Sequence, residues 1–324
     1  MRGRIGSQLV QYLVLIFLTL ALNFFLPRAM PGNPLSRLAG EDVALMSPEA
    51  RQELLVRHGL DRPLAVQFGI FLRSLAQGDL GYSFQRNASV ASIIAERLPW
   101  TLLLTTTALT LQTLIGVMLG GWAAWRRGGS ADYGTMAAVM LCRSMPSFWI
   151  AMILLAIFGA ELRWFPMFGA FKPWLVGGDS LAAVVDVLRH LALPVTSMVV
   201  LGTAETFMTM RYSMLDVLGE DYVRTARAKG LREAVVLYKH AGRNALLPVA
   251  TVFMLSLGFA VGGATVIETV FAYPGMGRLM YEAVLGRDYP LLQGTFLVIT
   301  LAVIAANIVA DLLYPLVDPR VRST

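Results

Sequence analysis

Charge, lysine and cysteine are all scarce in this chain, and each shortage removes possibilities. Charged residues make up 15% of the 324 residues, where an ordinary soluble domain carries about 25%. So little charge, beside 56% hydrophobic residues and a mean hydropathy of +0.62, points to a bilayer rather than water. Cys142 is the single cysteine, which excludes an intrachain disulfide and any CxxC redox or zinc motif. His58, His190 and His240 lie far apart without HExxH-type ligand spacing, so no metal site is expected. The only lysines are Lys172, Lys229 and Lys239, and the net charge of +6 therefore rests almost wholly on arginine. Those arginines fall mainly between apolar runs rather than along one basic face, which argues against nucleic acid as a partner. There is no GxxxxGK[ST] phosphate loop, so ATP has no visible site of that kind. Nor does the chain contain GxSxG, a low-complexity tract or two similar halves, and the last absence argues against an inverted-repeat secondary transporter.

What the sequence has in plenty is apolar length. A helix needs roughly 20 apolar residues to cross a hydrocarbon core, and inside lipid every backbone group must be bonded locally. Six stretches qualify: Ile5–Leu26, Leu98–Trp125, Gly134–Ala160, Leu191–Met210, Ala245–Val270 and Tyr289–Val317. The expected fold is all-α and polytopic. Its parts are an N-terminal anchor helix over 1–27, an external segment over 28–97, a five-helix core over 98–317 and a tail over 318–324. Arg2 and Arg4 precede the first run, which is too long for a signal peptide and lacks a small-residue cleavage site, so it reads as a retained anchor. Alternation then puts Arg126-Arg127, the loop 214–244, Arg320 and Arg322 on the cytoplasmic side, in line with the positive-inside rule. Both termini are expected there.

The external segment opens with Pro27, Pro31, Gly32 and Pro34 and continues as short amphipathic helices. Ser47-Pro48-Glu49 marks one helix start, and Leu64, Phe68, Phe71, Leu72 and Leu75 recur at helical spacing. It is either a platform for a partner or a cap over the first two spans. Two GxxxG runs, Gly116–Gly120 and Gly258–Gly262, allow close helix packing, within the chain or beside a central pathway. Pro146 and Pro194 are expected to kink or start their helices. Arg143 and Glu205 stand inside the third and fourth apolar runs, where a charge costs about 2.5–3.5 kcal/mol. They pair with each other, line a solute path, or reach for headgroups.

The most informative stretch is Asp216–Pro248. A helix is expected from Glu220 to Lys229, with Glu220 and Asp221 in its first turn, Arg227 and Lys229 in its last, and Gly230 to end it. A second helical pattern follows over Leu231–Ala241, with Leu231, Val235 and Tyr238 on one face. Such a hairpin is a docking element by shape.

Tyr222-Val223-Arg224-Thr225-Ala226-Arg227-Ala228-Lys229-Gly230 and Arg243-Asn244-Ala245-Leu246-Leu247-Pro248 resemble the cytoplasmic coupling loop of bacterial ABC importer permeases. The match is to the dipeptide/oligopeptide/nickel permease family, in its first-permease (B-type) branch. It runs along nearly the whole chain. Its other pieces are Gly59–Leu64, Gly78–Ser83, Glu96–Pro99, Pro146–Trp149, Glu268–Phe271, Pro274–Gly277, Arg287–Pro290 and Asp318–Arg320. Two departures stand out: Arg224, Thr225 and Ala226 occupy the place of the wider superfamily's Glu-Ala-Ala, and Ala204–Phe207 is less typical of the branch.

The resemblance implies a type I ABC importer permease in a bacterial inner membrane. It would form half of a translocation pathway for peptides, with a second related permease, two ATPase subunits carrying ATP and Mg, and an extracytoplasmic binding protein. No cofactor is implied for this chain, and no catalytic residue. Asp221, Tyr222, Arg224, Ala226, Arg227, Ala228, Lys229 and Gly230 are expected to contact the ATPase, with Tyr222 as a buried anchor. Nickel chelates, opines or oligosaccharides are alternative cargoes. A secondary transporter or a membrane enzyme is the rival from another class.

Overall fold

The computed structural model describes residues 2–29, 47–57, 61–83, 85–173, 180–260, 262 and 264–317. The expected tail 318–324, with Asp318-Pro319-Arg320, and the Gly59-Leu60 part of the external motif lie outside them. In chain order the helices are α1 Arg2–Ala29, α2 Pro48–Arg57, α3 Leu64–Ala76 and, after a two-strand hairpin, α4 Val90–Trp125. The hairpin pairs β1 Tyr82–Ser83 with β2 Ala88–Ser89, antiparallel. Then come α5 Ser130–Ser144, α6 Ser147–Leu154 with a π-helical extension Leu155–Glu161, α7 Ser180–Leu218 and α8 Asp221–Ala228. The short α9, Glu233–Val235, passes through a π-helical stretch, Val236–Gly242, into α10 Arg243–Ala260. Last are α11 Thr265–Val270, α12 Met276–Leu285 and α13 Tyr289–Val317.

Four continuous helical stretches are long and apolar enough to cross a bilayer: Val90–Trp125, Leu181–Leu218, Glu233–Gly258 and Tyr289–Val309. The pair Ser130–Ser144 and Ser147–Glu161, bent by 99°, is apolar enough to make a fifth when the two helices are counted as one broken span. The first expected span is the helix α1, whose described apolar part is Val10–Phe25. Two expected spans are not single helices. The third breaks at Met145-Pro146, because a proline has no N–H to give the helix and pushes the residue before it into extended backbone, here φ −79° and ψ 140° at Met145. The fifth stops at Ala260, ahead of Gly262-Gly263, and a separate short helix carries Glu268. Pro194, by contrast, sits inside an unbroken α7.

Contacts within the chain group into two units, residues 1–100 with 274–304 and residues 101–273 with 305–324. In the first, Val90, Ile93 and Ile94 of α4 pack against Met276, Leu279 and Ala283 of α12 and Leu291 of α13. Ser83 donates to the Asp288 carboxylate, Gln85 to the Gly286 carbonyl, and Arg86 reaches Glu282 at 2.6 Å. Phe68 and Phe71 of α3 meet the ring of Phe24, so this part of the external segment caps the end of α1. Ser47 Oγ accepts the N–H of Ala50 at 3.2 Å, fixing the expected helix start.

In the second unit, the α4 glycines lie hard against α7. A Cβ on Gly116 would stand 2.6 Å from Thr206 Cβ, and one on Gly120 would stand 2.5 Å from the Phe207 carbonyl oxygen. Gly258 of α10 faces Asn307 of α13 in the same way, at 2.5 Å. Gly116, Gly120 and Gly258 therefore serve packing inside the chain, where small residues let helices approach.

Candidate functional site

The expected docking hairpin begins where α7 ends at Leu218. Gly219 and Glu220 turn the chain, and α8 runs over Asp221–Ala228 with Asp221 in its first turn and Arg227 in its last. Gly230 closes it at φ +74°, a conformation that suits glycine. Along α8 the sides differ sharply. Val223 is 0% exposed and Ala226 5%, whereas the side chains of Asp221 and Arg224 are 94% and 72% exposed. Val223 and Ala226 join Ala124, Met210, Met214, Val236, Leu237, Ala241, Ala245 and Val249 in one apolar core. That core welds α8 to the ends of α4 and α7 and the start of α10.

Of the expected contact set, the structure leaves Asp221, Tyr222, Arg224, Arg227, Ala228, Lys229 and Gly230 on the surface together. Ala226 is not among them, because it points into the chain's own core. Tyr222 is 40% exposed in this chain, and its hydroxyl accepts a hydrogen bond from Asn244 Nδ2 at 2.7 Å. Arg227 spans the Gly230 turn to Glu233, 2.7 Å away. That hydrogen bond raises the Arg227 guanidinium above its ordinary pKa, though both groups are well exposed and the pair is screened by solvent.

Beyond Gly230 the face that Leu231, Val235 and Tyr238 share is the outer one. Leu231, Val235 and Tyr238 are exposed, Tyr238 by 83%, while Val236, Leu237, Ala241 and Gly242 are buried. In the π-helical stretch the backbone bonds run from i to i+5, and Val236 and Ala241, five apart, are both buried.

Arg143 and Glu205 are both exposed within this chain, and neither takes part in an ion pair among the described residues. A buried ion pair that does form joins α5 to α7. Arg211 Nε lies 2.7 Å from Asp132 Oδ1 and Nη2 lies 2.7 Å from Oδ2. Their side chains are 10% and 1% exposed, and Asp132 also accepts the Gly128 N–H at 3.1 Å. The signal for it was a basic and an acidic residue just outside two expected spans, which ended at Met210 and began at Gly134. A second buried acid, Glu268, accepts from Thr101 Oγ1 at 3.0 Å. No cluster of His, Cys, Asp or Glu among the described residues is arranged to hold a metal ion.

Comparison with known proteins follows these lines. A family described as a binding-protein-dependent transport system inner membrane component matches residues 116–323, and the N-terminal family of the same systems' membrane component matches residues 4–105. A dipeptide transport system permease protein of Alkalihalophilus pseudofirmus is 38% identical over 322 residues, 95% of this chain and 96% of its own. A di/tripeptide transport system permease protein of Pseudomonas aeruginosa is 39% identical over 317 residues, 93% of each chain. A chain from Brucella ovis is 43% identical over 312 residues, 96% of each. With helices fit to cross a bilayer and family matches along nearly its whole length, this chain belongs to the binding-protein-dependent transport system inner membrane components, as a permease of the type I ABC importer fold.

Proposed function

We propose that this chain carries short peptides inward as one of two permeases, and that α8 is the coupling helix through which partner ATPases drive it. The observation that supports the reading most directly is the two-sided build of α8. Its apolar side is seated in the chain's own core, and its polar side, with Asp221, Tyr222, Arg224, Ala228 and Lys229, is left open. The 214–244 loop then faces the cytoplasm, as its arginines and lysines favour, and both termini lie on that side.

In this mechanism ATP and Mg sit on the partner subunits, whose closure displaces α8 because the two states make different contacts with it. The shared core of α8, α7 and α10 carries the displacement into the spans. Arg143 and Glu205, exposed charges on otherwise apolar stretches, are assigned to the solute path, since charges at that depth face water or a partner. The peptide cargo is taken from the relatives' names.

The test is reconstitution with partner ATPases, a second permease and a binding protein from the same cell, followed by uptake of labelled di- and tripeptides. Uptake is expected to need ATP. Arg224→Glu is expected to cut ATPase capture by about tenfold while leaving the chain folded, since among the described residues the ion-pair partner of the exposed Arg224 is Asp221, itself at the surface. Transport by this chain alone, without ATP, would overturn the reading.

A further inference from the structure

We infer that Asp132 and Arg211 are positioning residues that carry motion of the docking hairpin into the broken third span; the inference rests on the coupling role assigned to α8 above. The apolar core that seats α8 draws its residues from α4, α7, α8, α10 and the π-helical stretch, and none from α5. The clasp that fastens the start of α5 is instead ionic. Both Asp132 oxygens take one N–H each from the Arg211 fork, at 2.7 Å and 2.7 Å, and Oδ2 takes the Gly128 N–H as well. Arg211 follows Met210, itself a member of the core, so the fork is rooted in the part that moves with α8. Gly120 holds the same level from the other side, for a Cβ there would stand 3.1 Å from the Arg211 nitrogen.

The chemistry of the clasp suits transmission better than stability. Two helices can be held together as well by apolar side chains of similar volume, and burying an ion pair brings no reliable net gain. A bidentate fork differs in direction. It fixes two atoms against two atoms, so it resists both sliding and rotation, where apolar packing yields to either. At the far end of α5, about 17 Å along the helix from Asp132, lie Arg143 and the break with its 99° bend. Asp132 is thus the driven end of a lever, and the break at Pro146 is its other end.

The experiment uses the whole transporter, with Cys142→Ser as background and spin labels at Ser144→Cys on α5 and Leu188→Cys on α7. Distances are read without nucleotide and with ATP plus vanadate. A separate label at Lys229→Cys reports α8. With Asp132 intact, the 144–188 distance is expected to keep one sharp value in both states while the Lys229 label shifts. In Asp132→Asn the 144–188 distribution is expected to broaden on ATP, and uptake per ATP hydrolysed to fall. The exchange of both residues, Asp132→Arg with Arg211→Asp, restores the sharp value and the uptake. Should Asp132→Asn not assemble, Arg211→Lys, which keeps the charge and loses the fork, is read in its place with the same expectation. An Asp132→Asn or Arg211→Lys distribution identical to the parent's, a failed restoration, or a parent distance that changes with ATP overturns the proposal. A Lys229 label that ignores ATP in the parent instead overturns the coupling role of α8.

Discussion

Gly120 and Glu282 illustrate how much a single position determines here. Adding a Cβ at Gly120 drives it into the Phe207 carbonyl at 2.5 Å and Met210 Cβ at 3.0 Å, and helix backbone has little room to yield. Gly120→Val is expected to cost about 1–3 kcal/mol, seen as a lower melting temperature in detergent, whereas Gly128→Ala meets no neighbour and costs about 1 kcal/mol through backbone strain alone, at φ +77°. Glu282 answers to pH. Burial raises its carboxyl, but the Arg86 hydrogen bond and the charges of Arg278 and Arg86 outweigh that and hold it below the ordinary 4.5. A lowered folded value means the contribution is complete above 4.5 and is lost as pH falls through the depressed value. Protection of the 82–89 hairpin from hydrogen exchange, taken relative to the intrinsic rate at each pH, is expected to fall as pH drops through that depressed value in the parent, and to be low already at neutral pH in Glu282→Gln. Residue partners were the least legible part of the sequence. Arg143 and Glu205 drew attention because hydropathy placed them inside spans, while Asp132 and Arg211 lay one or two positions outside and read as loop charges. Pattern along a chain says which residues are costly in lipid but not which one, 79 residues on, comes within 2.7 Å.

Elements were legible where a local rule acts alone. Ser47-Pro48 started α2, Gly230 ended the turn after α8, and the phenylalanine spacing in α3 produced its contact with Phe24. Proline was only half readable. Pro146 breaks a span and Pro194 does not, because inside a bundle neighbours can satisfy the carbonyls that a proline frees. The π-helical stretch was not readable at all, since a pattern scan assumes 3.6 residues per turn. That stretch is testable by length. Inserting one alanine after Tyr238, 83% exposed, adds a residue to the helical path from 233 to 260, which rotates α8's attachment by about 100° against α10. Helix content by circular dichroism is expected to hold, and ATP-driven uptake to disappear. Retained uptake would mean that the register of this stretch is immaterial.

For the molecule as a whole, hydropathy and charge indicated an all-α membrane chain because the bilayer imposes one solution on every apolar run. The sequence motifs placed it in its transport family, and the matches along 4–105 and 116–323 bear that out. The sidedness has its own check. A maleimide that cannot cross membranes is expected to reach Lys229→Cys only in inverted vesicles, and labelling from outside intact cells would reverse the topology. One further consequence follows from the way Val223 and Ala226 lock α8 in place. A segment that folds only on contact must surrender about 1–2 kcal/mol of backbone entropy per residue at that moment. Here the eight residues of α8 have already done so during the chain's own folding. Whatever binds this helix meets a rigid shape, and its affinity is undiminished by ordering. Val223→Asp would hand that entropic burden to the encounter itself, slowing recognition even though no residue on the open side had changed.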